Sequence, residues 1–309
     1  MKTLILGAGI NNYEFDKMHY LCSWDGFFKK FFNATSIIGT PATLIVENCI
    51  RNTELGSKNE YQASNIEKNI LNNIAREIDR AIKQDRSKGI DFQWILNNKE
   101  ITDIICLNFY PPFGLTFDDL ICKLYSKESS RSREFKNNCL YWTLKDPQKS
   151  HIRFWFPHGC INDSENMILG AYRYMKQTAY ISHLVKQLKK REREIFNNIK
   201  SEPAQKIDLL TPSKSETIYS WLIPFYYNEL FFLGTSISTD EWAIWSAITL
   251  RIRNFTKKKN QKYELPIYQM QYGNDLNEIY TPFIKPLFHQ TITYDNQWDM
   301  LKKEFEKNK

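Results

Sequence analysis

The stretch Lys2-Thr3-Leu4-Ile5-Leu6-Gly7-Ala8-Gly9 decides the fold. A short, nearly continuous apolar run bounded by turn residues indicates a strand buried on both faces. The glycines behind it open the dinucleotide fingerprint Gly-x-Gly-x-x-Gly, although Asn12 stands where the third glycine belongs. Backbone amides with no Cβ atoms in front of them would let a pyrophosphate approach closely.

Three more runs share this design. Asp103-Ile104-Ile105-Cys106-Leu107-Asn108-Phe109 is stopped by Pro111-Pro112, and residues 151–156 (HIRFWF) break at Pro157-His158-Gly159. Leu230-Phe231-Phe232-Leu233 ends in Gly234-Thr235-Ser236, and residues 265–270 predict a further strand.

Between the strands the pattern turns helical. Ser64-Asn65-Ile66-Glu67 has the form of a capping box. Behind it Ile66, Ile70, Ile74, Ile78 and Ile82 recur every fourth residue, the signature of an amphipathic helix. Residues 43–50 are too short a run to assign to helix or strand. Residues 118–127 predict a short helix and 172–198 a long one, and another starts near Ser215 and is interrupted at Pro224. Asp240 predicts the cap of a helix through Trp242 and Trp245, whose indoles are expected in the core. Residues 296–306 predict a last amphipathic helix. Short apolar strands alternating with longer helices give an α/β fold, a Rossmann-like parallel sheet with helices on both faces. The 309 residues make one domain, with a helical insertion over about 51–100.

Composition narrows the setting. With 42% hydrophobic residues, the chain can bury a substantial core. No run approaches the roughly 18 apolar residues of a membrane span, and the apolar start is too short for a secretory signal. A cytoplasmic protein away from membranes is expected. None of the six cysteines stands in a Cys-x-x-Cys pair, so neither a zinc ribbon nor a redox dithiol is signalled. The net charge of +7 gathers in two clusters, 186–193 (KQLKKRER) and 257–262 (KKKNQK). A solvated helix face and a solvated loop explain them, and nucleic-acid binding through them ranks as a distant alternative.

Parallel sheets bind ligands outside the carboxyl ends of their strands, and four strand ends here carry small or polar residues. Asn108 could orient a ribose hydroxyl or a water, although taken singly it is more simply a turn residue bonding its own backbone. His158, between a proline and a glycine, is expected outside the packed core, where an imidazole could act as a general base. A surface-loop histidine is the plain alternative. Gly234, Thr235 and Ser236 suit phosphate or ribose contact.

Taken in order, these motifs resemble the sirtuin superfamily, in particular the sirtuin-like proteins of bacterial anti-phage defence. The shared pattern is a strand with Gly7-Ala8-Gly9, a tryptophan-bearing helix at Ser23-Trp24, Asn108, His158-Gly159, Ile168-Leu169-Gly170 and Gly234-Thr235-Ser236. It spans Leu4 to about Trp245. Asn11 replaces the usual Ser or Thr after Gly-Ala-Gly, Tyr110 replaces the acid two positions after the asparagine, and the four-cysteine zinc module is absent. Abortive-infection proteins of the AbiH type share the glycine-rich start, the asparagine and the His-Gly, and are the nearest competing family.

The resemblance implies an NAD+ glycohydrolase that converts NAD+ to ADP-ribose and nicotinamide, an effector of abortive-infection defence that waits for an activator. Gly7, Ala8, Gly9 and Asn11 would bind the phosphates. Asn108 would orient the nicotinamide ribose or the attacking water, His158 would accept a proton, and Gly234, Thr235 and Ser236 would hold the adenosine side. NAD enters as substrate and no metal is required. A homo-oligomer or a regulatory defence partner protein is implied as the restraint. The alternative is a non-catalytic module that binds NAD, ADP-ribose or a signal nucleotide, which Tyr110 in the acid's place favours.

Overall fold

The computed structural model of the chain describes residues 1–9, 19–22, 24–32, 42–54, 60–85, 93–112, 114–124, 140–199, 220–235, 241–256, 267–272, 290–294 and 302–303. In chain order, β1 (Lys2–Leu6) is followed by five helices: α1 (His19–Cys22), α2 (Trp24–Phe32), α3 (Ala42–Glu54), α4 (Glu60–Asp85) and α5 (Gln93–Asn97). Next come β2 (Ile101–Cys106), β3 (Leu120–Leu124), β4 (Leu140–Leu144) and β5 (Arg153–Trp155). The long α6 (Ala171–Ile199) leads to α7 (Leu222–Tyr227), β6 (Glu229–Leu233), α8 (Trp242–Thr256), β7 (Ile267–Tyr272) and β8 (Gln290–Tyr294).

The eight strands form one sheet in the order β3-β4-β5-β2-β1-β6-β7-β8. Six of them, β5 through β8 in that order, are parallel, and β3 and β4 extend the β5 edge antiparallel. Counted along the chain, the parallel strands lie third, second, first, fourth, fifth, sixth. That is the order of the dinucleotide-binding doubly wound sheet, whose direction of winding reverses between its first and fourth strands. Here the reversal falls between β1 and β6, which pair from Lys2↔Glu229 to Leu6↔Leu233.

Alternation along the central strands explains the layers. Leu4, Leu6, Ile104, Cys106 and Leu233 face one side, where they pack with Ile95 and Leu96 of α5. Ile5, Ile105, Trp155, Leu230 and Phe232 face the other, against α6, α7 and α8. Both faces are buried, so these strands have no polar period to show. Asp103 is one of the charged residues buried inside. Asp103 accepts two hydrogen bonds from Arg153, at 2.8 Å each, and further ones from the Trp155 indole and the Thr102 hydroxyl. A buried carboxylate is tolerable only with such a full set of donors.

A third core lies at the end of the sheet. Leu21, Phe27, Phe28, Val46, Ile74 and Ile78 of α1 to α4 pack on Phe109, Tyr110, Met167 and Leu169, which follow β2 and β5. The helical insertion therefore covers part of the edge where the parallel strands end. It begins earlier than the expected residue 51, because residues 42–54 are helix and α1 and α2 belong to the same connection.

Other expectations shift too. The helix α4 runs unbroken through Ser64-Asn65-Ile66-Glu67, so no cap stands there, and its start at Glu60 lies four residues earlier. Residues 120–124 are a strand after one 3₁₀ turn rather than a helix. Pro224 sits in the first turn of α7, where its missing N–H has no helical partner to lose, so it starts a helix rather than interrupting one. The strands β4 and β8 are not among the expected ones. Among the described residues no helix is long and apolar enough to cross a membrane. Ser23, Asp240, the region from Ser215 to residue 219, the 257–262 cluster and most of 296–306 lie outside the described residues.

Candidate functional site

The reversal point between β1 and β6 is where Gly7, Ala8 and Gly9 leave one strand and Gly234 and Thr235 leave the other. The two turns touch. Gly7 N–H donates to the Leu233 carbonyl at 2.9 Å and Gly9 N–H to the Gly234 carbonyl at 2.7 Å. A Cβ on Gly7 would stand 2.3 Å from Thr235 Cβ, and one on Gly9 would stand 2.8 Å from the Gly234 oxygen. The two glycines are therefore required by the approach of β6, and their amides are engaged by its carbonyls rather than aimed at a phosphate. Asn11 and Ser236 lie outside the described residues.

Next to β1, the ladder continues past β2 through Leu107 N–H, which donates to the Leu6 carbonyl at 2.9 Å. Asn108 is the first residue beyond it. Its side chain is only 5% exposed, and neither its oxygen nor its nitrogen has a hydrogen-bond partner. The local-turn explanation for this asparagine therefore does not hold, because a turn asparagine would bond its own backbone. Tyr110, two residues on, is buried and donates its hydroxyl to the Leu21 carbonyl at 3.2 Å, tying α1 to the end of β2.

β5 pairs with β2 through Ile105↔Trp155, so Asn108 and His158 each follow three residues beyond that pair at the same sheet edge. The expectation of an accessible imidazole fails: His158 is 0% exposed. Gln177 donates its amide to the Pro157 carbonyl at 2.5 Å, which turns its oxygen toward His158 Nδ1 at 3.2 Å, so Nδ1–H is the donor there. The other ring nitrogen, Nε2, lies 3.1 Å from Glu241 Oε2 and 3.0 Å from the Tyr174 hydroxyl. Tyr174 in turn donates to the same carboxylate oxygen at 2.5 Å and stacks on the imidazole, with ring centroids 5.0 Å apart.

The turn around His158 needs its glycine. Gly159 has φ of 82°, and a Cβ there would lie 2.5 Å from the Asn166 carbonyl oxygen. The segment then folds back, with Ile161 N–H on the Phe109 carbonyl and Ile168 N–H on the His158 carbonyl. Ile168-Leu169-Gly170 thereby joins the histidine turn to the start of α6.

Sequence reasoning missed Tyr174, Gln177 and Glu241. The first two stand three residues apart, on one face of a helix, which is a usable signal once the helix is placed. Glu241 directly precedes α8 and carried no signal beyond its neighbour Asp240, which had been expected to cap that helix. Among the described residues no group of three or more His, Cys, Asp or Glu side chains stands together as a metal site would need. A separate cavity of about 400 Å³ lies between α4 and the loops at 116–118 and 161–164, lined by Asn72, Arg76, Asp79, Lys83 and Asn162 among others. Neither Asn108 nor His158 lines it.

Chemically, the edge offers one unsatisfied carboxamide beside the reversal point and a sealed His–Glu–Tyr–Gln cluster behind it. No family model matches the chain, and no curated protein matches it.

Proposed function

We propose that the carboxyl edge at Asn108 takes NAD and that the chain hydrolyses its nicotinamide–ribose bond, releasing nicotinamide and ADP-ribose. One observation carries the proposal: the Asn108 carboxamide is buried beside the reversal point with both polar atoms unpartnered. Leaving a buried polar group unpartnered costs roughly 1–3 kcal/mol. A ribose hydroxyl or a water bound there would supply the missing bonds. The order of the parallel strands favours a dinucleotide. Within that class, the resemblance of the strand-end motifs to sirtuin-like proteins supports NAD and its cleavage.

As the bond to nicotinamide breaks, its electron pair leaves with the pyridine ring and positive charge develops on the ribose. Water adds to the anomeric carbon and gives up a proton to solvent. Asn108 Oδ1 would accept a hydrogen bond from that water or from a ribose hydroxyl, and Nδ2 would donate to a ribose oxygen. His158, enclosed by Glu241, Tyr174 and Gln177, would act as a positioning residue that holds the 157–159 turn against α6 and α8. Depleting NAD is toxic, so an effector role in anti-phage defence, restrained by self-assembly or a partner protein, goes with this reading.

A second reading has its own observation. Tyr110 holds the place of the acid in the resembling family and commits its hydroxyl to Leu21, and His158 has no accessible nitrogen. A pocket so equipped would bind NAD or ADP-ribose without cleaving it. Nicotinamide release from NAD by wild type and by Asn108→Ala, with binding measured beside it, separates the two. Release by wild type alone supports the glycohydrolase, binding without release supports the module, and neither binding nor release from wild type overturns both.

A further inference from the structure

The helix α8 buries Ala243, Ile244, Ala247 and Ile248 against the sheet, a stripe of helical period. Trp242 falls outside that stripe and is 62% exposed, on the side where Thr249 and Arg253 also meet solvent. The expectation that both tryptophans of this helix are core holds only for Trp245, which is half-buried and packs on the same cluster. A large indole in an outward position calls for a reason.

Its place in the fold supplies one. Glu241, the residue before it, bonds to His158 and Tyr174, so the first turn of α8 stands at the carboxyl edge beside the end of β5. β5 adjoins β2, whose end carries Asn108, and neighbouring strands are about 4.8 Å apart. Asn108 and the first turn of α8 thus both stand at the end of β5, one on the neighbouring strand and the other through Glu241. Tyr172, in the first turn of α6, is also exposed, but the Lys176 ammonium lies 4.4 Å from its ring centroid and covers one face. Trp242 has no ring or cation partner among the described residues.

The geometry points to Trp242 as the stacking platform for a planar base of the nucleotide whose ribose engages Asn108. The inference rests on the nucleotide reading above and adds a residue that selects for an aromatic base. Stacking uses the π-face that every base has, and the indole face is large and here open to solvent.

The test is calorimetric titration of wild type, Trp242→Ala, Trp242→Phe and Asn108→Ala with ADP-ribose and with carba-NAD, whose nicotinamide ribose cannot be cleaved. Trp242→Ala is expected to weaken binding roughly five- to a hundredfold. Trp242→Phe should retain most of the affinity, with the melting temperature unchanged in both. Loss with both ligands assigns the platform to adenine, and loss with carba-NAD alone assigns it to nicotinamide. Undiminished binding by Trp242→Ala beside a loss in Asn108→Ala overturns the platform and leaves the site standing. Equal losses in the Ala and Phe variants overturn stacking in favour of an indole N–H contact. A wild type that binds neither ligand overturns the nucleotide reading and the platform with it.

Discussion

His158 Nε2 lies 3.1 Å from Glu241 Oε2, and the Tyr174 hydroxyl closes the triangle with 3.0 Å to the imidazole and 2.5 Å to the carboxylate. The three groups come from the end of β5, the start of α6 and the start of α8. This buried cluster therefore fastens two helices to one strand end. Removing the imidazole leaves the Gln177 oxygen short of a donor and opens a gap beside Glu241 and Tyr174 inside the protein. His158→Ala should cost about 3 kcal/mol of stability. Tyr174→Phe should cost only about 1–2 kcal/mol, because the direct His158–Glu241 contact survives. Urea denaturation of both variants measures the difference. A His158→Ala protein as stable as wild type would show that the cluster fastens nothing.

Asn108 predicts the opposite sign. Its carboxamide is buried and makes no hydrogen bond, so the ligand-free fold carries an unsatisfied polar group. Asn108→Leu, close in shape and without the polar atoms, should raise ligand-free stability by about 1–3 kcal/mol and abolish nucleotide binding. Stability and binding moving in opposite directions mark a residue kept for its ligand. If Asn108→Leu is destabilised and binds as before, the side chain serves packing and the site lies elsewhere.

The parts of this fold legible in the sequence are those that local patterning controls. β1, β2, β5 and β6 are continuous apolar runs ended by Gly or Pro, and the isoleucine period gave most of α4. Strand order was not legible, since it depends on which runs pair across the chain. The 140–144 run (LYWTL) alternates Leu140, Trp142 and Leu144 with Tyr141 and Thr143 between Asn137-Asn138 and Asp146-Pro147, so β4 was legible in the pattern although it is not among the expected strands. The site divides in the same way. Asn108 could be named because it stands at a strand end, but its missing partners are a property of the packed interior. His158 was named for a local context, Pro157-His158-Gly159, that says nothing of Tyr174, Gln177 and Glu241 closing over it. Trp242 and Trp245 look alike in sequence, and only their angle around α8 distinguishes them.

Gly7 tests whether the first turn serves the fold or the ligand. A Cβ there would overlap Thr235 Cβ at 2.3 Å and the Gly234 oxygen at 2.4 Å, and neither backbone can move without parting β1 from β6. Gly7→Ala should therefore destabilise the nucleotide-free protein by about 1–3 kcal/mol, as core overpacking does, and lower its melting temperature accordingly. Calorimetric scans of the ligand-free variant give the answer. An unchanged melting temperature with lost nucleotide binding would return this glycine to the phosphate-binding role its motif suggests.

The cysteines provide a chemical probe of the same edge. Cys160 follows the histidine turn, and burial, with a smaller contribution from the neighbouring Asp163 charge, pushes its thiol from 9.0 up to about 12. Only thiolate reacts with alkylating reagents. At pH 8 the thiolate is then about one part in ten thousand of Cys160, and burial adds a steric barrier. Cys122 is exposed on β3. Iodoacetamide at pH 8 should label Cys122 within the native protein and reach Cys160 only after denaturant is added, as read by peptide mass mapping. The pH dependence has a definite sign. The raised value means that the folded state holds this proton where the unfolded state has lost it, so the stabilisation is whole below pH 9 and is lost as pH rises from there toward 12. Cys160→Ala removes the titrating group and should flatten that part of the curve, at the cost of a small cavity. Rapid native labelling of Cys160 at pH 8 would mean that the 157–170 segment opens readily, and the sealed histidine cluster would have to open with it.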